Sequence, residues 1–266
     1  MIEDTDHGSE LGATQPIVAN EFADGEDNDG DIIAGPTVEA HVHLVKTASM
    51  CPLIVIITNT HTDQDDLIIL IQEFLCNQIN PQLSPSEAPE GPDLPPFDDK
   101  ITVYPSAVAT FYSPSDISGV GGMRSERICA IKSWRNGPPR HDCIFVETDP
   151  DAPGMAGLDI ACVHLFFSCK FNGIKYPCAL VHWFSCVGQS ADPGTGMWVV
   201  EPDFTDDGVP ITSVIHLDTV IRAAHLLPVF KEEYVSRDLF FYDTLNKFQL
   251  FYVNKFVDHH AFEIAF

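Results

Sequence analysis

The chain has 266 residues, of which 45% are hydrophobic, and its 39 acidic and 14 basic residues give a formal net charge of −25. Affinity for nucleic acids depends on Lys and Arg displacing counterions, so this charge argues against direct nucleic-acid binding by the chain. No apolar run approaches the ~18 residues of a membrane span, and MIEDTDHGSE lacks the features of a secretory signal. The eight cysteines have no metal-ligand spacing, which favours free and mostly buried thiols in an intracellular protein.

Residues 1–36 are predicted to form a disordered acidic segment. They contain no Lys or Arg and cannot bury enough apolar surface to offset the entropy of the chain. The DNDGD run at 27–31 has the alternate aspartates of a calcium loop, but Val38 stands where the bidentate Glu belongs. A solvated acidic segment is therefore favoured over a calcium site.

A strand and a helix are predicted between residues 37 and 80. VEAHVHLVK at 38–46 alternates as a strand does, and LIVIIT at 53–58 is a short apolar run. Residues 63–79 carry apolar side chains at helical spacing behind a helix cap at Thr62 or Asp63, so they predict a helix. The six prolines of 81–99 then predict a linker.

A β-rich body is predicted from residue 100 onward. Its strongest local pattern is the pair of apolar runs around Asn172-Gly173, because this dipeptide suits the two-residue turn of a β-hairpin. A short turn or helix is predicted through Arg222 and Ala223. Further strands are predicted at 142–148, 196–202, 213–218 and 225–230.

The end of the chain is predicted to be a helix packed on the sheet. Asp243 or Thr244 would cap it, and the apolar residues that follow have helical spacing. These residues are Leu245, Phe248, Phe251, Tyr252 and Phe256.

The register of the hairpin bears on the most obvious pair of candidate metal ligands. If Phe171 faces Ile174, then His182 faces Val163, and alternation places His164 and His182 on opposite faces. They are therefore not expected to share a metal, because zinc needs three or four converging ligands. Other pairs without a visible third ligand are His41 with His43, His216 with Asp218, and His259 with His260.

Catalytic motifs are not recognisable. Cys143 follows His141 and Asp142, but neighbours on a strand point to alternate faces, and there is no Gly-x-Ser-x-Gly elbow. Cys162, Cys169, Cys178 and Cys186 are interpreted as small core residues. A metal nuclease would need converging carboxylates at strand ends; the candidates are Asp142, Glu147, Asp149, Asp159 and Asp218.

One basic and aromatic segment differs from the rest of this acidic chain. Five of the fourteen basic residues lie within 124–140, with Trp134 among them. Arg side chains bind carboxylates in bidentate fashion and stack on aromatic rings, so the segment is typical of a contact for an anion or an acidic peptide. The alternative is that these charges only balance acidic neighbours within the chain, which stabilises little.

The chain resembles the region downstream of the catalytic core in Plavaka-type transposases of mushroom-forming fungi, relatives of the CACTA group. The resemblance covers about 220 residues and extends weakly back through HVHLVKTASMCPLIVIITNT at 41–60. It rests on FYSPSDISGVGGMRSERI (111–128), SWRNGPPRHDCIFVETDPDAPGMAGLDIA (133–161), YPCALVHWF (176–184), TGMWVVEP (195–202), SVIHLDTVIRAAHLLPVF (213–230) and YVNKFVDHHAFEIAF (252–266).

This resemblance implies no catalytic residue. In that family an RNase H-like core with an acidic triad cuts DNA, and the core lies upstream of the matching block. A second, looser resemblance is to bromo-adjacent-homology domains, twisted β-barrels that contact chromatin proteins. It rests on the succession of the apolar strand segments DCIFV, IACVHLFFS, YPCALVHWF and HLLPVF. The aromatic pair Trp183-Phe184 is the nearest point of likeness.

The sequence thus predicts an α+β chain: a bromo-adjacent-homology-like antiparallel β-barrel or bent sheet with flanking helices. The predicted parts are a disordered segment (1–36), a strand and helix subdomain (37–80), a linker (81–99) and the β-rich domain with its C-terminal helix (100–266).

The predicted function is a non-catalytic, transposon-derived interaction module, a detached C-terminal part of a transposase. It is expected to act in the nucleus without a cofactor and to contact a protein, chromatin or other parts of a transposase. The alternatives are a metal-dependent nuclease-like fragment and an inactive gene relic. The expected binding residues are Arg124, Arg127, Lys132, Trp134, Arg135, Arg140 and Trp183.

Overall fold

The computed structural model describes residues 40–45, 49–51, 64–80, 94–97, 99–114, 121–230 and 238–266. The predicted disordered segment 1–36, the apolar run 53–58 and most of the predicted linker 81–99 lie outside these residues. The described part consists mostly of antiparallel strands that form a nearly closed, barrel-like sheet with few helices. This confirms the predicted fold class.

The first of two hydrogen-bonded sheets has four strands in the order β1-β4-β5-β6. All three pairings are antiparallel, and the longest, between β4 and β5, runs from Ser106↔Cys129 to Tyr112↔Met123. The strands are β1 (Ala40–Leu44), β4 (Ser106–Tyr112), β5 (Met123–Ile131) and β6 (Arg140–His141).

The second sheet has ten strands and is built around the long hairpin. Its main path is β12-β7-β8-β9-β10-β14-β13, while β11 pairs with β9, β3 with β8, and β2 with β3. The strands are β2 (Ser49–Cys51), β3 (Ile101–Tyr104), β7 (Cys143–Glu147), β8 (Leu158–Phe171), β9 (Ile174–Cys186), β10 (Val199–Pro202), β11 (Thr212–His216), β12 (Val220–Ala224), β13 (Leu226–Pro228) and β14 (Phe251–Val253).

Two bent stretches of chain join the sheets. At Pro105 the chain passes from β3 to β4, and the Pro105 carbonyl accepts a hydrogen bond from Ala130 N at 3.0 Å. At Asp142 it passes from β6 to β7. Asp142 N donates to the Cys129 carbonyl at 2.9 Å, and the Asp142 carbonyl accepts from Val163 N at 3.0 Å. The sheets therefore enclose a common core that includes Phe111, Ile128, Ile144, Val163, Phe166 and Val181.

The Asn172-Gly173 turn forms as predicted. Both residues have positive φ, 49° and 79°, which is the conformation that a two-residue turn between twisted strands requires. Phe171 pairs with Ile174, and the predicted register holds back to Leu165↔Leu180. One irregularity then follows on β8 at His164.

The predicted helix is present as α1 (Gln64–Ile79), which confirms the interpretation of its spacing. Its apolar face, with Leu67, Ile71, Phe74 and Leu75 buried, packs on the outer face of the hairpin beside Leu165, Phe167, Cys178 and Leu180. The described residues of 37–80 therefore pack directly against the β-rich part, through α1 and through the pairing of β1 with β4.

Two secondary-structure predictions near the end of the chain are wrong. Residues around Arg222 form strand β12, and the tail is not one helix: α2 (Thr244–Lys247) and α3 (His259–Ile264) flank strand β14. Phe251 and Val253 are buried and Tyr252 is less so, because β14 pairs with β10 on one side and β13 on the other. Period-two burial in a sheet thus prevails over apparent helical spacing.

The most buried charge in the described residues is Arg222, whose side chain is 1% exposed. It donates from Nε and Nη2 to the two carboxylate oxygens of Glu126 (3.2 and 3.0 Å) and from Nη1 to Asp258 (2.7 Å). Its guanidinium carbon also lies 3.9 Å from the centroid of the Phe111 ring, and the His260 imidazole stacks on that ring.

Both carboxylates of this ion cluster also bind backbone. Glu126 accepts a hydrogen bond from Ala223 N at 2.7 Å, and Asp258 caps α3 by accepting one from Ala261 N at 2.8 Å. The cluster thus joins β5, β12 and the start of α3. A buried charge is tolerated only when paired and hydrogen-bonded in this way.

Removing one partner of this buried cluster should destabilise the fold strongly. We expect Glu126→Gln to lower the free energy of unfolding by about 3 kcal/mol, because Arg222 would keep its charge and lose one anionic partner. Chemical denaturation measures the effect. Asp218→Asn is the control, since its exposed pairing with His216 should matter little. A loss for Glu126→Gln no larger than that of the control would contradict the prediction.

Acid should also weaken the fold through His260. Burial, followed by the charge of Arg222, lowers the pKa of His260 to about 4, against ~6.5 for an ordinary histidine. The unfolded chain then binds the proton more readily, so this stability is fully present above about pH 6.5 and is lost as the pH falls towards 4. Although burial raises the pKa of Asp258, hydrogen bonds from Arg222 and Ala261 hold it below its ordinary value, which adds acid sensitivity at still lower pH.

The measurement is the unfolding free energy as a function of pH. We expect His260→Phe, which keeps the stacking on Phe111, to flatten the profile between about pH 4 and pH 6.5. His225→Gln changes an exposed histidine and should leave the slope unchanged. Equal slopes for the wild-type protein and both variants would show that protonation of His260 does not contribute to the loss of stability in acid.

Candidate functional site

One contact group, termed here the Trp134 cluster, consists of Trp134 and Arg135 from the loop between β5 and β6 and of Arg140 at the start of β6. The Arg140 guanidinium carbon lies 4.5 Å from the Trp134 ring centroid, and that of Arg135 lies 5.4 Å from it. Arg135 and Asn136 both have positive φ, 51° and 59°, and Trp134 N donates to the Pro138 carbonyl at 2.9 Å. This tight turn brings the two arginines to the same indole.

Arg140 is held in place by a carboxylate. Its Nε and Nη2 donate to the two oxygens of Asp142 at 2.8 and 3.0 Å, and Asp142 also accepts from Cys129 N at 2.8 Å. The edge of the Arg140 guanidinium therefore binds Asp142, while its face lies on the Trp134 ring. Arg135 is exposed and extends the positive charge of the cluster outward.

The other predicted binding residues lie elsewhere on the fold. Arg124 and Arg127 are exposed on β5, and Lys132 is exposed just after it. Arg124 precedes the end of β5 by seven residues, which corresponds to about 23 Å of strand. Trp183, on β9, packs on the common core and donates from Nε1 to Ser213 Oγ at 2.7 Å. The contacts of the structure therefore unite three of the seven predicted residues.

An open groove adjoins the Trp134 cluster, with a volume of about 1570 Å³. Pro139 and His141, the two sequence neighbours of Arg140, belong to its lining, so the cluster and the groove are adjacent along the chain. Its walls are mostly apolar and include Phe204, Val209 and Ile211, all at least 42% exposed. Further lining side chains come from α1 and from the segment 242–250, among them Ile69, Leu70, Tyr242, Leu245 and Phe248.

Three histidines follow one another along the groove, contrary to the prediction for two of them. The ring centroids of His141 and His164 are 5.5 Å apart, and those of His164 and His182 are 6.1 Å apart. His164 and His182 were expected on opposite faces of the hairpin. Both line the same groove, because the register shifts by one between Leu165↔Leu180 and Val163↔Val181, with His164 as the extra residue.

Two of these imidazoles are oriented by backbone carbonyls. His141 Nδ1 lies 2.9 Å from the Val163 carbonyl, and His182 Nε2 lies 2.8 Å from the Asp203 carbonyl. A carbonyl can only accept, so each neutral ring carries its proton on the named nitrogen and its lone pair on the other. Burial lowers the pKa of His141, and the hydrogen bond to Val163 and the charge of Asp142 offset this only in part.

The candidate carboxylates and histidine pairs are distributed over the fold. Asp142 is engaged by Arg140, Asp218 pairs with His216 at 3.3 Å, and Glu147 and Asp149 are exposed. His41 and His43 share a face and stack at 5.8 Å. Within the described ranges, no three His, Cys, Asp or Glu side chains are grouped as metal ligands would be.

The hairpin cysteines are core residues, as predicted, with one exception. Cys162, Cys169 and Cys178 are buried and Cys186 is only half-buried. All are free thiols, as are Cys76, Cys129 and Cys143.

Comparisons with protein-family models, with curated proteins and with solved structures found no match to this chain. Among the helices that the structure describes, none is long and apolar enough to cross a membrane. The groove and the Trp134 cluster must therefore be interpreted from their own geometry.

The orientation of the histidines predicts their tautomers, which can be measured by NMR. At neutral pH we expect His141 to be the Nδ1–H tautomer and His182 the Nε2–H tautomer, because each named nitrogen donates to a carbonyl. Nitrogen chemical shifts of the imidazoles distinguish the two forms. The same titration should place the pKa of His141 below the ordinary histidine value of ~6.5. The opposite tautomer at either ring would contradict the groove geometry.

Proposed function

We propose that this protein is a non-catalytic interaction module that binds an acidic and apolar segment of a partner protein. The Trp134 cluster would contact the acidic side chains, and the adjoining groove would accept the apolar ones. The observation that carries this proposal is that both sequence neighbours of Arg140 in the cluster, Pro139 and His141, line the groove.

The size and walls of the groove favour a polypeptide over a small molecule. Small-molecule sites usually enclose about 300–1,000 Å³, whereas this groove is open and larger. Apart from its histidines, the charged residues on its lining are Glu201 and Lys247. An apolar groove of this kind suits the apolar face of an amphipathic helix.

The charges of the Trp134 cluster favour acidic residues in the bound segment. Arg binds carboxylates through its planar fork, and Arg135 is exposed beside Trp134. The chain as a whole carries a charge of −25, but ten of its acidic residues lie within 1–36. At physiological ionic strength the repulsion from charges more than about 8 Å away is largely screened, so the local cations dominate the contact.

We also propose that the module derives from a transposase and acts in the nucleus. This rests on the sequence segments that resemble the region downstream of the catalytic core in Plavaka-type transposases. A protein or chromatin contact is the class of function that best fits the Trp134 cluster and the groove.

The test uses a fluorescently labelled synthetic peptide with Leu and Phe at helical spacing and Glu at the remaining positions. We expect it to bind the full chain, and a version with Lys in place of Glu to bind at least tenfold more weakly. Arg135→Glu and Trp134→Ala should each weaken binding of the Glu peptide about tenfold or more, which corresponds to ~1.4 kcal/mol.

Matched variants locate the site. Arg124→Glu makes the same charge change on β5, about 23 Å of strand before its end, and should leave affinity nearly unchanged, whereas Phe204→Asp in the groove wall should weaken it. Melting temperatures would show that each variant remains folded. Equal losses for Arg124→Glu and Arg135→Glu, or equal binding of the Glu and Lys peptides, would refute the proposed site.

A further inference from the structure

Cys143 and Cys162 lie directly opposite each other on neighbouring strands β7 and β8. The adjacent pair, Asp142 and Val163, is joined by a backbone hydrogen bond at 3.0 Å. In an antiparallel ladder the two kinds of pair alternate, so the cysteines occupy a non-hydrogen-bonded pair, where the Cα atoms are about 4.5 Å apart. A disulfide accepts Cα separations of ~4.4–6.8 Å, so the backbone already permits the bond.

The two thiols differ in position. Cys162, which is 7% exposed, belongs to the lining of the groove beside the histidines, whereas Cys143, which is 5% exposed, does not. A hydrogen bond to Cys162, together with burial, raises the pKa of Cys143 well above its ordinary value. Cys143 therefore keeps its proton, and Cys162 is the sulfur that a molecule in the groove would meet.

We propose that Cys143 and Cys162 form a thiol modification site that small-molecule disulfides entering the groove convert into a cross-strand disulfide. This inference is independent of the proposed partner binding, because it needs only the groove, the strand register and the two thiols.

The reaction proceeds by two thiol–disulfide exchanges. The Cys162 thiolate attacks one sulfur of the small disulfide, the S–S bond of that molecule breaks, and one small thiolate leaves and takes up a proton. The Cys143 thiol then gives up its proton and attacks the Cys162 sulfur of the mixed disulfide, and the second small thiol leaves. The cysteine pair loses two electrons and two protons, and the small disulfide gains them.

A second pair of thiols in contact provides an internal comparison. Cys169 and Cys178 share a hydrogen bond, but Cys169 is opposite Tyr176 and Cys178 is opposite Phe167. They are diagonal neighbours, whose Cα atoms lie about 7–8 Å apart. A disulfide is not expected there without backbone movement, and neither thiol belongs to the lining of the groove.

The experiment exposes the folded full chain to glutathione disulfide and maps the modified cysteines by mass spectrometry. In the wild-type protein we expect a Cys143–Cys162 disulfide, seen as the loss of two hydrogens and reversed by dithiothreitol. In Cys143→Ser we expect the reaction to stop at the mixed disulfide, with one glutathione on Cys162. In Cys162→Ser we expect at least a tenfold lower yield of modification at Cys143, because that thiol does not belong to the lining of the groove.

Two controls distinguish the possible outcomes. Half-buried Cys186 reports general thiol modification, and Cys169→Ser should leave the Cys143–Cys162 disulfide unaffected. Modification at Cys186 without any at Cys162 would overturn the proposed access through the groove. A stable mixed disulfide on Cys162 in the wild-type protein, or a Cys169–Cys178 disulfide in place of the expected one, would overturn the inferred pairing.

Discussion

The structure depends on one buried cation. Arg222 connects residues that are far apart in the sequence, since its partner Glu126 is 96 positions away, and it reaches Asp258 in the tail as well. Leaving a guanidinium buried without its carboxylates costs several kcal/mol, so the closing strands and the tail must reach their places together. A hydrophobic residue at this position would pack without dictating which strand lies beside it. We therefore expect the ion cluster to contribute more to the uniqueness of the arrangement than to net stability.

The candidate site depends on a different irregularity, the extra residue at His164. Without it, His164 and His182 would lie on opposite faces of the hairpin, and the row of three imidazoles along the groove would be interrupted. A β-bulge moves the side chain of every residue beyond it to the other face of the sheet, relative to the regular pairing. A single inserted position therefore rearranges one end of a long strand. The hairpin is consequently a regular scaffold near its turn and part of a groove at its other end.

The features that sequence could predict are those that short-range patterns encode. The helix at 64–79 follows from the spacing of Leu67, Ile71 and Phe74, and the turn follows from Asn172-Gly173, because each needs only neighbouring residues. The bulge at His164, the strand at Phe251 and the burial of Arg222 each depend on a distant strand. For the candidate site, the composition of the sequence indicated the segment 124–140 and Trp134 within it. The groove beside it could not be predicted, since Phe204, Tyr242 and His141 meet only in three dimensions.

The bends at Pro105 and Asp142 have a consequence for how the chain reaches its fold. The same stretches of chain serve both sheets, and many contacts join residues more than sixty positions apart, such as Thr102 with Ser168 and Ala40 with Phe111. Closing such loops costs entropy before any contact compensates for it, which places proteins of this topology among slow folders. The molecule should acquire its structure late, in one cooperative event, and its hairpin strands remain exposed to other chains until then.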